Sequence, residues 1–141
     1  MNPNTENTVE SDVAAEWTAK WRETCPDNCK AFLIPAVDLI EVLNDMGLIG
    51  DKAAAKAQKR ANKNNLDVRA YMAIGAEPGQ ETQEKILIVG TQQVDGVYRD
   101  IINGSVDGKS LGLTDDPSSG IYDFTTPCPP VCDPNSPLFG G

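Results

Sequence analysis

The chain reads as an α+β protein: an antiparallel sheet of about four to five strands, helices packed on one face, and an extended Pro-rich C-terminal tail. Three observations lead there. "LDVRAYMAIG" (66–75) alternates, with Leu66, Val68, Ala70, Met72 and Ile74 on one side and Asp67, Arg69 and Tyr71 on the other. That period of two marks a half-buried strand. "KILIVGTQ" follows the turn-rich "AEPGQETQE" and is apolar throughout, so the two segments form a hairpin around a long loop. The elements in chain order are α, β, α, α, β, β, β, β, with hairpin-type links rather than crossovers.

Residues 1–10 are polar and are expected to be a disordered lead. Ser11 suits an N-cap, and Asp12 suits a first helical turn. Val13, Trp17 and Trp21 then recur every four residues, with Ala14 beside them. Two tryptophans on one helix could stack a ligand, but a helix docking on a sheet accounts for the stripe more simply. "CPDNC" breaks that helix, and "KAFLI" reads as a short strand ended by Pro35. In "AVDLIEVLNDMG", Val37, Leu39, Ile40, Leu43 and Met46 fall near one helical face, Asp38, Glu41 and Asp45 on the other. The three acids read as a solvated face rather than a metal cluster. Gly47 supplies the stop.

Asp51 is placed to cap the alanine-rich segment 51–64, which holds five of the chain's twelve basic residues and one acid. Its basic residues leave only a narrow alanine stripe, so the segment is expected to lie loosely on the body. "VYRDII" follows a turn at "VDG" and reads as a further strand. "NGSVDGKSLGLTDDPSSG" reads as a long loop, and "IYDF" as a last short strand with Ile121 inward. A single domain over 11–126 with a tail over 127–141 results.

Composition narrows the chemistry. The net charge is −9 and segment 51–64 carries +4, so the remainder carries −13. That balance argues against nucleic acid and anionic membranes as partners. No apolar run approaches the ~20 residues needed to span a bilayer. The N-terminus has neither a basic start nor an apolar stretch, so the expected compartment is the cytoplasm, with reduced cysteines. The chain has no histidine. Ser–His–Asp and Cys–His catalysis and HExxH metal sites are therefore excluded. No nucleophile–base pair or phosphate loop stands out. A carboxylate enzyme, for instance one using Asp123 beside Tyr122, has no spacing in its favour.

The four cysteines form two matched stretches, "CPDNC" (Cys25, Cys29) and "CPPVC" (Cys128, Cys132). Three readings stand. Cys25, Cys29, Cys128 and Cys132 could share one zinc ion tetrahedrally, clamping the tail to the first helix–strand junction. The pairs could do thiol redox chemistry. "TCPDNC" resembles the CPDxC motif of thioredoxin-like copper-delivery proteins over about six residues, but those need a later histidine. The third reading is packed thiols, or disulfides formed only on exposure to oxidant. No cofactor is expected, and zinc is the one the pattern admits.

The tail holds Pro127, Pro129, Pro130, Pro134 and Pro137 and ends in Leu138 and Phe139. Prolines exclude helix and central-strand positions and lower the entropy lost on docking. Pro129, Pro130, Leu138 and Phe139 are therefore the expected contacts to the domain itself or to a partner.

The blocks "KAFLIPAVDLIEVL", "DVRAYMAIG", "KILIVGT" and "GIYDFTTPCPPVCDPNSPLF" together resemble a group of small cytoplasmic proteins of Bacteroidota. That group carries AFLIP, VRAY and YDF…PCP…CD…SPL blocks. The resemblance implies that the tail pair at Cys128 and Cys132 belongs to the pattern and that 51–64 is an insertion in it. It carries no activity and transfers no site residue. The functional expectation is a non-enzymatic, protein-binding or interaction module, working on a protein partner or as a homo-oligomer. A zinc-stabilised or thiol-redox module is the alternative.

Overall fold

The computed structural model describes residues 7–106, 109–110 and 118–140. Seven strands and three helices occur in it: α1 (Ser11–Thr24), β1 (Ala31–Ile34), α2 (Ala36–Asp45), α3 (Asp51–Asn64), β2 (Leu66–Gly75), β3 (Gln83–Val94), β4 (Val97–Asp100), β5 (Ser105–Val106), β6 (Lys109–Ser110) and β7 (Ile121–Tyr122). The fold is α+β. Its main sheet has five strands in the order β1-β2-β3-β4, and β7 shares the outer edge of β3 with β4. All pairings are antiparallel.

The β2–β3 hairpin is the spine, in register from Leu66 opposite Gln92 to Gly75 opposite Gln83. A tight turn joins β3 to β4. Asp95 and Gly96 both take positive φ, as a two-residue hairpin turn requires. Helix α1 begins one residue earlier in role than expected. Glu10 is its N-cap, and Ser11 is already helical. Ala14, Trp17 and Trp21 are buried, so the tryptophans dock the helix on the sheet. Trp17 lies flat on Gly75, where even a Cβ would stand 2.4 Å from the indole ring. The core cluster comprises Ala14, Trp17, Ala73, Leu87, Val89 and Ile121.

Helices α2 and α3 pack chiefly on each other, and more lightly on β2. Helix α3 buries Ala54 and Ala61, and Gln58 donates to the Val37 carbonyl at 2.9 Å. The segment 51–64 is thus one arm of a helical hairpin. Asp51 is its first helical residue, with Gly50 as the cap. The stripe expected to face inward on α2 is only half realised. Val37, Ile40 and Leu43 are half-buried, but Leu39 and Met46 are exposed, as is Val42.

The lead is also corrected in part. Residues 7–9 run antiparallel to 121–123: Val9 N–H donates to the Ile121 carbonyl at 3.0 Å, and Asp123 N–H to the Asn7 carbonyl at 2.7 Å. Backbone pairing orders this stretch, and Val9 packs against the core cluster beside it. Residues 1–6, and positions 107–108 and 111–117 of the expected long loop, lie outside the described residues.

The tail is not one extended strip. Residues 128–139 fold into turns and a short 3₁₀ turn at Pro137–Phe139. Among the described residues, no helix is long and apolar enough to cross a membrane.

Candidate functional site

Directly opposed residues in an antiparallel pair point to one side of the sheet. The register therefore sorts every strand residue to a face. One face carries Asp67, Arg69, Tyr71 and Ala73 of β2, Lys85, Leu87, Val89 and Thr91 of β3, Asp100 of β4 and Ile121 of β7. Helix α1 covers this face. The other face carries Phe32 of β1, Val68, Ala70, Met72 and Ile74 of β2, Ile86 and Ile88 of β3, and Tyr122 of β7. The charged groups of β2 thus lie on the helix side, and the outer face is apolar.

On the helix side the charges are paired. Arg69 Nη1 donates to Asp100 Oδ1 at 2.5 Å, and Tyr71 donates its hydroxyl to Asp100 Oδ2. Arg69 also bonds the Tyr98 carbonyl. Burial raises the Tyr71 pKa above its usual value, and the hydrogen bond to Asp100 adds to that. Burial works against the Arg69 charge. The Asp100 carboxylate and the hydrogen bonds outweigh it, so the guanidinium pKa is raised. Lys85 pairs with Asp123 at 2.9 Å with the two side chains only 6% and 9% exposed, and its ammonium sits 5.1 Å from the Trp17 ring centre. A crevice of about 310 Å³ runs beside α1, lined by Ser11, Ala15, Thr18 and Arg22 on the helix and by Tyr71, Val89, Asp100 and Ile102 across from it.

The cysteines do not converge. Cys128 and Cys132 form a disulfide, whereas Cys25 and Cys29 are free thiols in the turn after α1. Among the described residues no three His, Cys, Asp or Glu side chains are grouped to hold a metal ion. Each cysteine pair thus closes or borders its own local turn in this structure. Trp21 Nε1 donates to the Cys29 carbonyl, which fastens that turn to α1.

Of the tail, Thr125 bonds the backbone of Ile86, and Pro127 reaches the hollow beside Met72 and Ile86 at the rim of the apolar sheet face. Beyond it Pro129, Pro130 and Phe139 are exposed, and Leu138 is 96% exposed. Leu138 and Phe139 line a small hollow with Cys128, Val131 and Cys132.

No family model matches the chain, and no solved structure matches it. It is similar to one curated protein, the DNA primase small subunit PriS of Methanocella arvoryzae. The two are 26% identical over 116 residues, which span 79% of this chain and 28% of that protein. The chain thus covers less than a third of the relative's length.

The composition singled out the tail and the cysteines. It did not single out the uncovered sheet face. The available signal was "KILIVGTQ", a strand apolar on both sides, which is the pattern of a strand buried on both faces. Nor did it single out the Arg69–Asp100–Tyr71 group, whose members are distant in sequence.

Proposed function

We propose that this protein is a non-enzymatic interaction module that self-associates through the uncovered face of its sheet. One observation carries the reading. Strand β3 is apolar on both sides over Ile86–Val89, but α1 packs on only one of them; on the other, Ala70 is buried, Met72, Ile74, Ile86 and Ile88 are half-buried, and Phe32 and Phe124 are each 55% exposed. Apolar strand faces of this kind are stable when another layer covers them.

A second copy is a fitting cover. Strands β2 and β3, ten and twelve residues long and about 4.8 Å apart, give a face of roughly 10 by 33 Å that the short β1, β4 and β7 widen over part of its length. With the flanking rings of Phe32 and Phe124, that buries about 600 Å² per copy, or about 1,200 Å² in total, at the lower end of stable interfaces. The charged residues of this face are Glu84 at one end and Arg99 at the other. A two-fold axis lying across the strands brings Glu84 of one copy to the Arg99 end of its partner. Pairing through the edge of β1 is the poorer route. That strand has four residues and is followed at once by Pro35, which blunts an edge.

A primase-like role is not adopted. The uncovered face is apolar rather than basic, and a net charge of −9 repels phosphate.

Sedimentation or light scattering on the full chain tests the reading. The expected mass is twice the 15.1 kDa of one chain. Ile88→Lys should yield monomer. Phe32→Glu and Phe124→Glu, at exposed positions, should do the same without disturbing the fold. Leu39→Lys, on α2, should remain dimeric. A wild-type protein that stays monomeric at high micromolar concentration overturns the reading.

A further inference from the structure

We propose that the crevice beside α1 is a binding site for a free medium-chain acyl carboxylate, with Arg22 holding the carboxylate and the crevice walls holding the chain. The site lies on the opposite side of the sheet from the self-association surface. Success or failure of one leaves the other standing.

The shape comes from helix periodicity. Ser11, Ala15, Thr18 and Arg22 recur at helical spacing, so they form one stripe along α1. Eleven residues at 1.5 Å each make that stripe roughly 16 Å long. The opposite wall is Val89 and Ile102, with Tyr71 and Asp100 along it. A volume of about 310 Å³ is at the small end of ligand sites, too small for a folded peptide segment. A linear chain of about eight carbons, at ~1.5 Å per bond, extends to roughly 10 Å and fits that length with its head group at one end.

The charge comes from what is already paired. Both Asp100 oxygens accept hydrogen bonds, one from Arg69 and one from Tyr71. Arg22 has no ion-pair or hydrogen-bond partner among the described residues. One guanidinium, Arg22, and one carboxylate, Asp100, therefore border the crevice, and the carboxylate is already neutralised by Arg69 outside the lining, in a chain whose net charge is −9. The local excess is a single positive charge at one end of an apolar slot. A monoanion with an apolar body matches it. A guanidinium fork binds a carboxylate in a bidentate manner. A dianionic phosphate ester fits worse, since it would face the Asp100 carboxylate with only one unpaired guanidinium to offset two charges.

The experiment titrates the full-length, isotope-labelled protein with sodium octanoate and, separately, with neutral octanamide, following backbone amide shifts. Octanoate should move the amides around Thr18, Arg22, Val89 and Asp100, and should bind about ten-fold or more tightly than octanamide. Arg22→Gln should erase that preference. Arg22→Lys should keep only part of it, because it retains the charge but loses the bidentate fork. Ala15→Trp should fill the slot and abolish binding of both probes. If that variant does not fold, the exposed Arg22 variants still decide the matter. Equal binding of octanoate and octanamide, shifts confined to Phe32, Ile88 and Phe124, or an Arg22→Gln protein that binds like wild type would each overturn the proposal.

Discussion

Arg69 on β2 and Asp100 on β4 meet at 2.5 Å although β3 lies between their strands. Arg69 stands opposite Val89 and Asp100 opposite Thr91, so the ion pair reaches over β3 between those two residues. Tyr71 joins from the same side of β2. One carboxylate thereby ties β2 to β4 across β3, and β4, only four residues long, is held by more than its ladder.

Alkaline pH tests the Tyr71 contact. Its native pKa lies above the usual value of about 10, so the phenol keeps its proton in the folded protein after it would lose it in the unfolded chain. The stabilisation is complete below about pH 10 and is lost as pH rises through the native pKa. Thermal melts should therefore fall above about pH 10, and less steeply for Tyr71→Phe. At neutral pH that variant should cost about 1 kcal/mol. An identical alkaline slope in the two proteins would show that another group governs it.

Thr91 is wholly buried, and its hydroxyl has no hydrogen-bond partner among the described residues. It stands between Asp67 and Asp100 in the ladder, shielded by the strands on either side. Thr91→Val keeps the shape and removes the unpaired group. Chemical denaturation should show a gain of about 1 kcal/mol. A loss of similar size would mean that the hydroxyl does have a partner.

Lys85 and Asp123 form the more deeply buried pair. Asp123→Ala leaves the ammonium without its carboxylate and should cost about 3–5 kcal/mol. The double variant Lys85→Met with Asp123→Leu removes both charges and should recover most of that loss. A double variant no more stable than Asp123→Ala would indicate that the pair holds β3 and the segment after β7 together by geometry rather than by charge balance.

The Cys128–Cys132 disulfide closes a loop with a sequence separation of 4, in a tail whose apolar residues are exposed. A loop so short contributes about 2 kcal/mol at most by the chain-entropy account, and only to the tail. Calorimetry of Cys128→Ser should show a melting temperature within about 2 °C of wild type. A drop of 5 °C or more, by the same scaling, would reveal the tail as a clamp on the body.

Much of the fold was legible because its signals are local. The alternation in 66–75, the Trp17–Trp21 stripe and the Asp95–Gly96 turn each act within a few residues, and each element formed near its expected place. Helix α2 was read less well. Its apolar residues surround more of the helix than α3 and the lighter packing on β2 cover, so Leu39, Val42 and Met46 stay exposed. The turns of the tail were not legible, because proline content restricts backbone angles without saying where the chain folds back.

The sequence by itself determined the strands of the main sheet, the helices and the α+β class, since periods of two and of about 3.6 residues are properties of short segments, whereas β5 and β6 lie in a stretch that reads as a loop. It also excluded histidine chemistry by composition. Only the tertiary structure decided which face of the sheet α1 covers. Strand β3 is apolar on both sides, so its pattern is satisfied equally by either choice. Only the tertiary structure, too, brought Arg69 to Asp100 across 31 residues and Lys85 to Asp123 across 38. Such contacts depend on strand order and register, which are set when distant segments close on one another and not by any stretch alone.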